Sequence, residues 1–244
     1  MQGLLKERLQ ELKLSFGAIG LKAEFEAEGA TFEEVRILKD LANSVNLDFT
    51  LKIGGCEAIR DIKTAQKLGI KTLVAPMIES EYAFTKFMSS ATKILGADCN
   101  LWINIETING VRALDKILTN EHAHTLKGVV FGRTDFMGEQ KLPTTEHADI
   151  LSVLNSIKQQ LQTAGKKLIV GGNITPSTIT AFENIFPLYA IETRKIILST
   201  TGITPDAILK ALEFEILWLE YKNTFSPASA DEKRLDTLKE RCQK

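Results

Sequence analysis

The stretch Leu101-Trp102-Ile103-Asn104-Ile105-Glu106-Thr107 combines a clear pattern with reactive chemistry. Its alternation predicts a strand with Leu101, Ile103 and Ile105 on one face and Trp102, Asn104 and Glu106 on the other. If the aliphatic face packs outward against helices, Asn104 and Glu106 point into a sheet or barrel interior. An ionised carboxylate there is costly unless it is paired or holds a cation. A strand-end glutamate facing solvent is the plain alternative.

Other apolar stretches end in the same way. Glu26 and Glu28, Lys52, the run Gly132 to Asp135, the run Gly171 to Asn173 and the run Glu192 to Arg194 all follow strand-like segments. Glu106 and Asp135 together suit one hard cation, because Mg²⁺ takes one or two carboxylates and completes its shell with water and substrate oxygens. Such a cation polarises a carbonyl. Lys52 would then carry the charge of an enolate oxygen, and backbone N–H groups around Gly132–Asp135 would hold a carboxylate. Glu192-Thr193-Arg194-Lys195 has two readings: Arg194 binds an anionic substrate, or the insert forms an internal salt bridge.

The elements that must position these groups alternate. An amphipathic helix over residues 2–14 precedes a period-two strand over 18–28, in which Leu21, Ala23, Phe25 and Ala27 alternate with charged residues. Thr31 and Glu34 form a capping box that opens a helix to Ser44. Strands are expected at 48–54, 71–77, 101–107, 127–132 and 167–170, with helices at 56–68, 80–95, 109–120 and 148–164 between them. A polar loop spans 137–147, and Thr175-Pro176 starts a helix with proline at its first position. Tyr189–Ser199 reads as one long strand or two; a long helix runs from Thr204-Pro205 to Phe225, a linker covers 226–229, and a charged helix covers 230–243. Strands alternating with helices through short connections imply βαβ units. A closed (β/α)8 TIM-type barrel fits best, with an open doubly wound sheet second; no G-x-G-x-x-G follows the first strand. One domain is expected over 1–225, with residues 226–244 as linker and C-terminal helical arm.

Composition narrows the classes. The chain has 244 residues, 44% hydrophobic and 25% charged, with a formal net charge of -1, enough for a sizeable core but with no electrostatic footprint for nucleic acid. Its three cysteines form no framework, which suits a reducing compartment. Cys56 follows two glycines at an expected helix start, where a thiol can be acidified, but no base partner is visible and a structural role is favoured. No apolar run reaches the ~18 residues of a membrane span, and the N-terminus is too charged for a signal peptide. A soluble cytoplasmic protein with no membrane partner is expected.

Asn-Ile-Glu-Thr at 104–107, Phe-Gly-Arg-Thr-Asp at 131–135 and Val-Ala-Pro-Met at 74–77 resemble the marks of the HpcH/HpaI aldolase/citrate lyase family, the pyruvate-binding barrel superfamily of class II aldolases and citrate lyase beta subunits. The resemblance covers residues 20–200 and is specific in the blocks 71–77, 102–107 and 127–135. It implies Mg²⁺ or Mn²⁺ on Glu106 and Asp135, a pyruvate or oxo-acid substrate held also by amides of Gly132, Thr134 and Asp135, and a homo-oligomer with exchanged C-terminal helices. The last helix alternatively caps the bottom of its own barrel.

There are departures. Lys52 stands where the family usually carries an enolate-stabilising arginine, and a lysine loses the bidentate fork. No histidine lies near the first strand; His122, His124 and His147 fall in loops or at helix ends. Glu26 or Glu28 would have to replace the base. The first β/α unit reads as truncated, replaced by the N-terminal helix. The leading expectation is a metal-dependent carbon–carbon lyase working through a pyruvate-type enolate. The alternatives are a Schiff-base aldolase using Lys52 and a non-catalytic oxo-acid- or metal-binding barrel.

Overall fold

The strands sort their residues by parity, and each parity builds its own core. In a computed structural model, which describes residues 1–25, 27–228 and 231–244, Leu51 and Ile53, Leu101, Ile103 and Ile105, and Val129 and Phe131 join a large apolar cluster with the surrounding helices. The opposite parity forms a separate cluster of Val74, Trp102, Val130, Ile169, Ala190 and Ile197. That cluster fills the interior of a closed barrel.

The chain runs α1 (Gln2–Ser15), β1 (Ala18–Glu24), α2 (Phe32–Ser44), β2 (Asp48–Lys52), α3 (Ile59–Leu68), β3 (Thr72–Ala75), α4 (Glu81–Leu95), β4 (Asn100–Ile105) and α5 (Ile108–Thr119). It continues as β5 (Leu126–Gly132), α6 (Arg133–Glu139), α7 (Ala148–Thr163), β6 (Lys167–Gly171), α8 (Thr178–Ala181), β7 (Ala190–Glu192), β8 (Ile196–Ser199), α9 (Pro205–Lys222) and α10 (Asp231–Arg241). Local signals explain many boundaries. Thr31 and Glu34 make the reciprocal capping box at α2. Gly69 ends α3 in the left-handed conformation, at φ 65°. Ser80, Thr107 and Thr204 each accept a backbone N–H at the start of α4, α5 and α9.

β1 to β7 pair in sequence order, each parallel to the next. The expected eight-strand barrel is therefore present, but the first β/α unit is not truncated: β1, α2 and the parallel β2 make it whole, and the departure from a (β/α)8 repeat falls on the last unit instead. β8 runs antiparallel to both β7 and β1 and closes the circle between them. The reason is chain length: Thr193-Arg194-Lys195 alone separates β7 from β8, whereas a parallel crossover needs about a dozen residues. The strand-like run 189–199 is thus a hairpin. Thr193 ties its turn, donating its N–H to the Ile196 carbonyl at 2.9 Å and accepting the Ile196 N–H on its hydroxyl at 3.2 Å. α9 then starts where β8 ends and packs along α1.

Three expected boundaries are corrected. β1 stops at Glu24, so Glu28 belongs to the following loop; Glu26 lies outside the described residues. The helix after Thr175-Pro176 is only Thr178–Ala181, and Pro176 precedes it rather than opening it. α10 does not lie at the bottom of the barrel. Arg234 donates to the carbonyl of Ala27 at 3.0 Å, and Arg241 donates through Nη2 to the carbonyl of Ile174 at 2.6 Å. Lys222 of α9 pairs with Asp231 at 3.0 Å. These contacts fix α10 across the mouth of its own barrel, at the C-terminal ends of the strands. Among the described residues no helix is long and apolar enough to cross a membrane.

Gly128 shows how tightly the interior is filled. A Cβ there would press into the Lys167 carbonyl and the Trp102 ring. Backbone cannot retreat as a side chain can, so Gly128→Ala is expected to cost about 3 kcal/mol, the upper range for overpacking. Urea unfolding of the variant beside wild type checks this.

Candidate active site

Glu106 is the residue after β4, and four neighbours aim it. Met77, just beyond β3, holds a left-handed backbone at φ 49°, an uncommon state for a side chain of this size. Its N–H donates to Glu106 Oε1 at 3.1 Å, while Asn104 Nδ2 donates to Oε2 at 2.8 Å. Lys52 Nζ stands 3.7 Å from Oε2 and 3.0 Å from Glu24 Oε1. Gly132 opposite leaves room: a Cβ there would lie 2.7 Å from Glu106 Oε2. Glu106 is 2% exposed. Burial lifts its carboxyl above the ordinary glutamate range, against the pull of Lys52, and Asp135 pushes it the same way. Burial also works against Glu24, but Lys22 and then Lys52 outweigh it and hold that carboxyl below the usual range.

These groups line a cavity of about 550 Å³ at the C-terminal end of the barrel, within the size range of small-molecule sites. Gly132, Thr134 and Asp135 line it as well. Thr134 and Asp135 lie in the first turn of α6, where backbone N–H groups have no partner inside the helix. Gly172 packs on that turn: at φ 88° it sits where any Cβ would strike the Thr134 nitrogen at 2.5 Å. Arg133 itself turns away from the cavity. Fully buried, it donates to the carbonyls of Gly171 and Gly172, at 3.2 and 2.6 Å, and stacks over Phe182. Burial lowers its guanidinium to about 10. Arg133 thus clamps the β5 and β6 ends together.

The opposite wall is built from ion pairs. Lys22 Nζ meets Glu192 Oε1 at 2.5 Å, and Lys195 pairs with Glu28. Burial opposes the charge on Lys22, yet Glu192 and then Glu24 outweigh it and hold the ammonium above the ordinary lysine range. Glu215 of α9 accepts the Lys195 N–H at 2.8 Å. Of the two readings of the charged insert, its internal salt bridges fall to Glu192 and Lys195, while Arg194 is exposed and lines the cavity.

The structure therefore brings together Lys52, Glu28, Asn104, Glu106, Gly132, Thr134, Asp135 and Arg194 around one cavity. It adds Lys22 and Glu24, whose alternation was legible but whose role was not, together with Lys195, Glu215 and α10. The histidines stay away: His122 and His124 lie on the short turn Glu121–Thr125, and His147 caps α7. Cys56 is half-buried in the loop before α3, outside the cavity.

Among the described residues no group of three or more His, Cys, Asp or Glu side chains is arranged to hold a metal. Two carboxylates are nevertheless enough for Mg²⁺ when water and substrate oxygens complete the shell. The charges agree: Lys52 pairs with both Glu24 and Glu106, Lys22 near Glu24 is already paired with Glu192, and Asp135 adds a further negative charge to the same wall. The buried Oδ1 of Asn104 has no partner. Glu106 and Asp135 thus fit an oxygen-coordinated dication.

Because the folded-state pKa of Glu106 is raised, its contribution to stability is present below the ordinary glutamate value of about 4.3 and is lost as pH rises through the folded value. In chelator-treated protein Glu106→Gln should therefore raise the urea midpoint at pH 7.5, with the gain vanishing by about pH 4. Asn104 can turn its amide so that its unpartnered Oδ1 accepts from the new side chain. An equal effect at both pH values would contradict this assignment.

Comparison with known proteins agrees with these marks. A crystal structure of a HpcH/Hpal aldolase/citrate lyase family protein from Burkholderia cenocepacia J2315 shares the fold with a TM-score of 0.65 at 12% identity, covering 91% of each chain. The HpcH/HpaI aldolase from Desulfitobacterium hafniense DCB-2 gives 0.61 at 12% identity over 74% of this chain and 78% of that one. The citrate synthase SbnG gives 0.61 at 14% identity, over 92% and 91%. No curated protein matches the chain. Residues 55–172, from the loop before α3 to the glycine after β6, match the model of the HpcH/HpaI aldolase/citrate lyase family, the family that the motifs of the sequence resemble.

Proposed function

We propose that this chain is a metal-dependent carbon–carbon lyase or aldolase acting on a 2-oxo acid through its enolate. The observation that carries the reading is the wall on which Lys52 lies between Glu24 and Glu106 with Asp135 beside them. Glu106 and Asp135 would hold Mg²⁺ or Mn²⁺, which when bound supplies Lewis-acid polarisation of the oxo-acid carbonyl. Amides at Thr134 and Asp135 bind the substrate carboxylate, and Asn104 orients Glu106. In the cleavage direction a carboxylate takes the proton of the substrate hydroxyl, the carbon–carbon bond breaks, and its electron pair passes to the oxo-acid as an enolate. Lys52 lies where its ammonium balances that charge without reorganisation. Glu28 lines the cavity and is the described one of the two carboxylates proposed for the proton.

The Schiff-base alternative is less well served. Two carboxylates within 4 Å hold Lys52 Nζ in an ion pair, an arrangement suited to stabilising negative charge rather than attacking a carbonyl. The accessory-barrel alternative is distinguished by turnover alone: it requires ligand binding without release of any cleavage product.

Calorimetric titration of chelator-stripped protein should show Mg²⁺ or Mn²⁺ binding that tightens when pyruvate or oxaloacetate is present, and that disappears in Glu106→Ala and Asp135→Ala. Unchanged binding in both variants would remove the metal assignment. On an accepted substrate, Lys52→Met should lower kcat by about 10²–10³, the usual loss for one donor to a developing oxyanion. Lys52→Arg should retain part of the rate. Borohydride trapping with pyruvate should leave no adduct at Lys52.

A further inference from the structure

Arg133 opens the turn that carries Thr134 and Asp135, but its side chain works elsewhere. It is fully buried and lies behind the cavity wall rather than on it. Its fork grips two consecutive carbonyls, Gly171 through Nε at 3.2 Å and Gly172 through Nη2 at 2.6 Å. Nη1 reaches the loop before α7, where it meets the Thr145 carbonyl at 3.4 Å and Glu146 Oε1 at 3.1 Å. The Thr145 hydroxyl donates in turn to both Glu146 oxygens, at 3.0 and 2.9 Å. The ring of Phe182, just after α8, lies 4.8 Å from the guanidinium. One side chain thus ties together the start of α6, the end of β6, the loop before α7 and the end of α8. Gly171, Gly172 and Thr145 line the cavity together with Thr134 and Asp135, whereas Arg133 and Glu146 do not.

We infer that Arg133 is a positioning residue: it fixes the amides of Thr134 and Asp135, and with them the Asp135 carboxylate, without touching the substrate. What that turn binds, the oxo-acid carboxylate and the metal, rests on the reading above. The linkage is direct. The Gly172 backbone lies so close to the turn that a Cβ there would stand 2.5 Å from the Thr134 nitrogen. Whatever holds Gly172 therefore sets where that amide stands, and Arg133 holds it by its carbonyl. Stability does not account for the arginine. Among the described residues its ion pair is with Glu146, whose side chain is 35% exposed. Desolvating a guanidinium for one such partner is recovered only when the geometry is excellent, and packed apolar residues often serve stability better. Nor would a lysine do the same work. A point charge cannot hold two carbonyls and a carboxylate in one plane, as a rigid fork of donors does.

The test compares the whole wild-type chain with Arg133→Lys and Glu146→Gln, at a temperature where circular dichroism shows each fully folded. With Mg²⁺ saturating, calorimetry should show Arg133→Lys binding pyruvate about tenfold to a hundredfold more weakly, the usual loss when a partner that orients a ligating group is removed. Glu146→Gln should shift the affinity the same way by less. Should Arg133→Lys fail to fold, the half-buried Glu146 position carries the comparison alone. On an accepted substrate the loss should appear in KM more than in kcat, because the turn holds the carboxylate alike in the ground and transition states. A merely structural arginine would lower the urea midpoint and leave the folded protein's affinity untouched, so wild-type affinity in the variants overturns the inference. Hydrogen exchange of the ligand-free chain, followed by mass spectrometry, decides the matter independently of any ligand. In Arg133→Lys the amides of α6 and of residues 140–147 should exchange faster, while those of β2 and α9 keep wild-type rates. Wild-type exchange in α6 overturns the inference. If wild type binds neither Mg²⁺ nor pyruvate but α6 loosens in the variant, the enolate reading falls and the positioning role stands.

Discussion

A charge inside a closed barrel survives only beside a counter-charge, and this constraint orders the molecule. The interior layer of Val74, Trp102, Val130, Ile169, Ala190 and Ile197 is apolar. Above it, at the strand ends, Lys22 faces Glu192, Lys52 faces Glu24 and Lys195 faces Glu28. Desolvating such pairs costs several kcal/mol per ion, and well-packed apolar residues would serve stability as well or better. Their place in the fold is therefore explained by the cavity they line rather than by the core. Glu106 is the exception that proves useful: it shares its lysine with Glu24, and burial leaves its carboxyl lifted.

Strand parity made much of this legible. Leu101, Ile103 and Ile105 against Asn104 and Glu106, Leu51 and Ile53 against Thr50 and Lys52, and Leu21 and Ala23 against Lys22 and Glu24 each announce which way a side chain points, because strand geometry has period two. Partners were not legible. Lys22 and Glu192 are 170 positions apart, and Lys195 and Glu28 are 167 apart; no local pattern links them. A lysine alternating with glutamates reads equally as a wet edge strand or as the mouth of a barrel until the circle closes.

The C-terminal third concealed its arrangement for two other reasons. The run 189–199 has no glycine or proline to mark a reversal; the turn is made by Thr193 hydrogen bonds instead. That reversal is what lets a single antiparallel strand fill the last position of the barrel and places Arg194 at its mouth. α10 is hidden because its buried residues are mostly charged. Asp231 and Arg241 are buried with Leu238, so hydropathy reports a solvated helix. Ion pairs and carbonyl contacts, rather than an apolar stripe, seat it.

The same economy explains the lysine at position 52. An arginine there would present a planar fork, best used on a substrate carboxylate or phosphate. Lys52 instead meets two protein carboxylates on different strands, a task for a compact point charge with three rotatable donors. The forks appear at the other end of the cavity, on Arg194 and Arg241. The barrel interior can then stay crowded with paired charges, because the bulkier cations lie on a turn and a helix outside it.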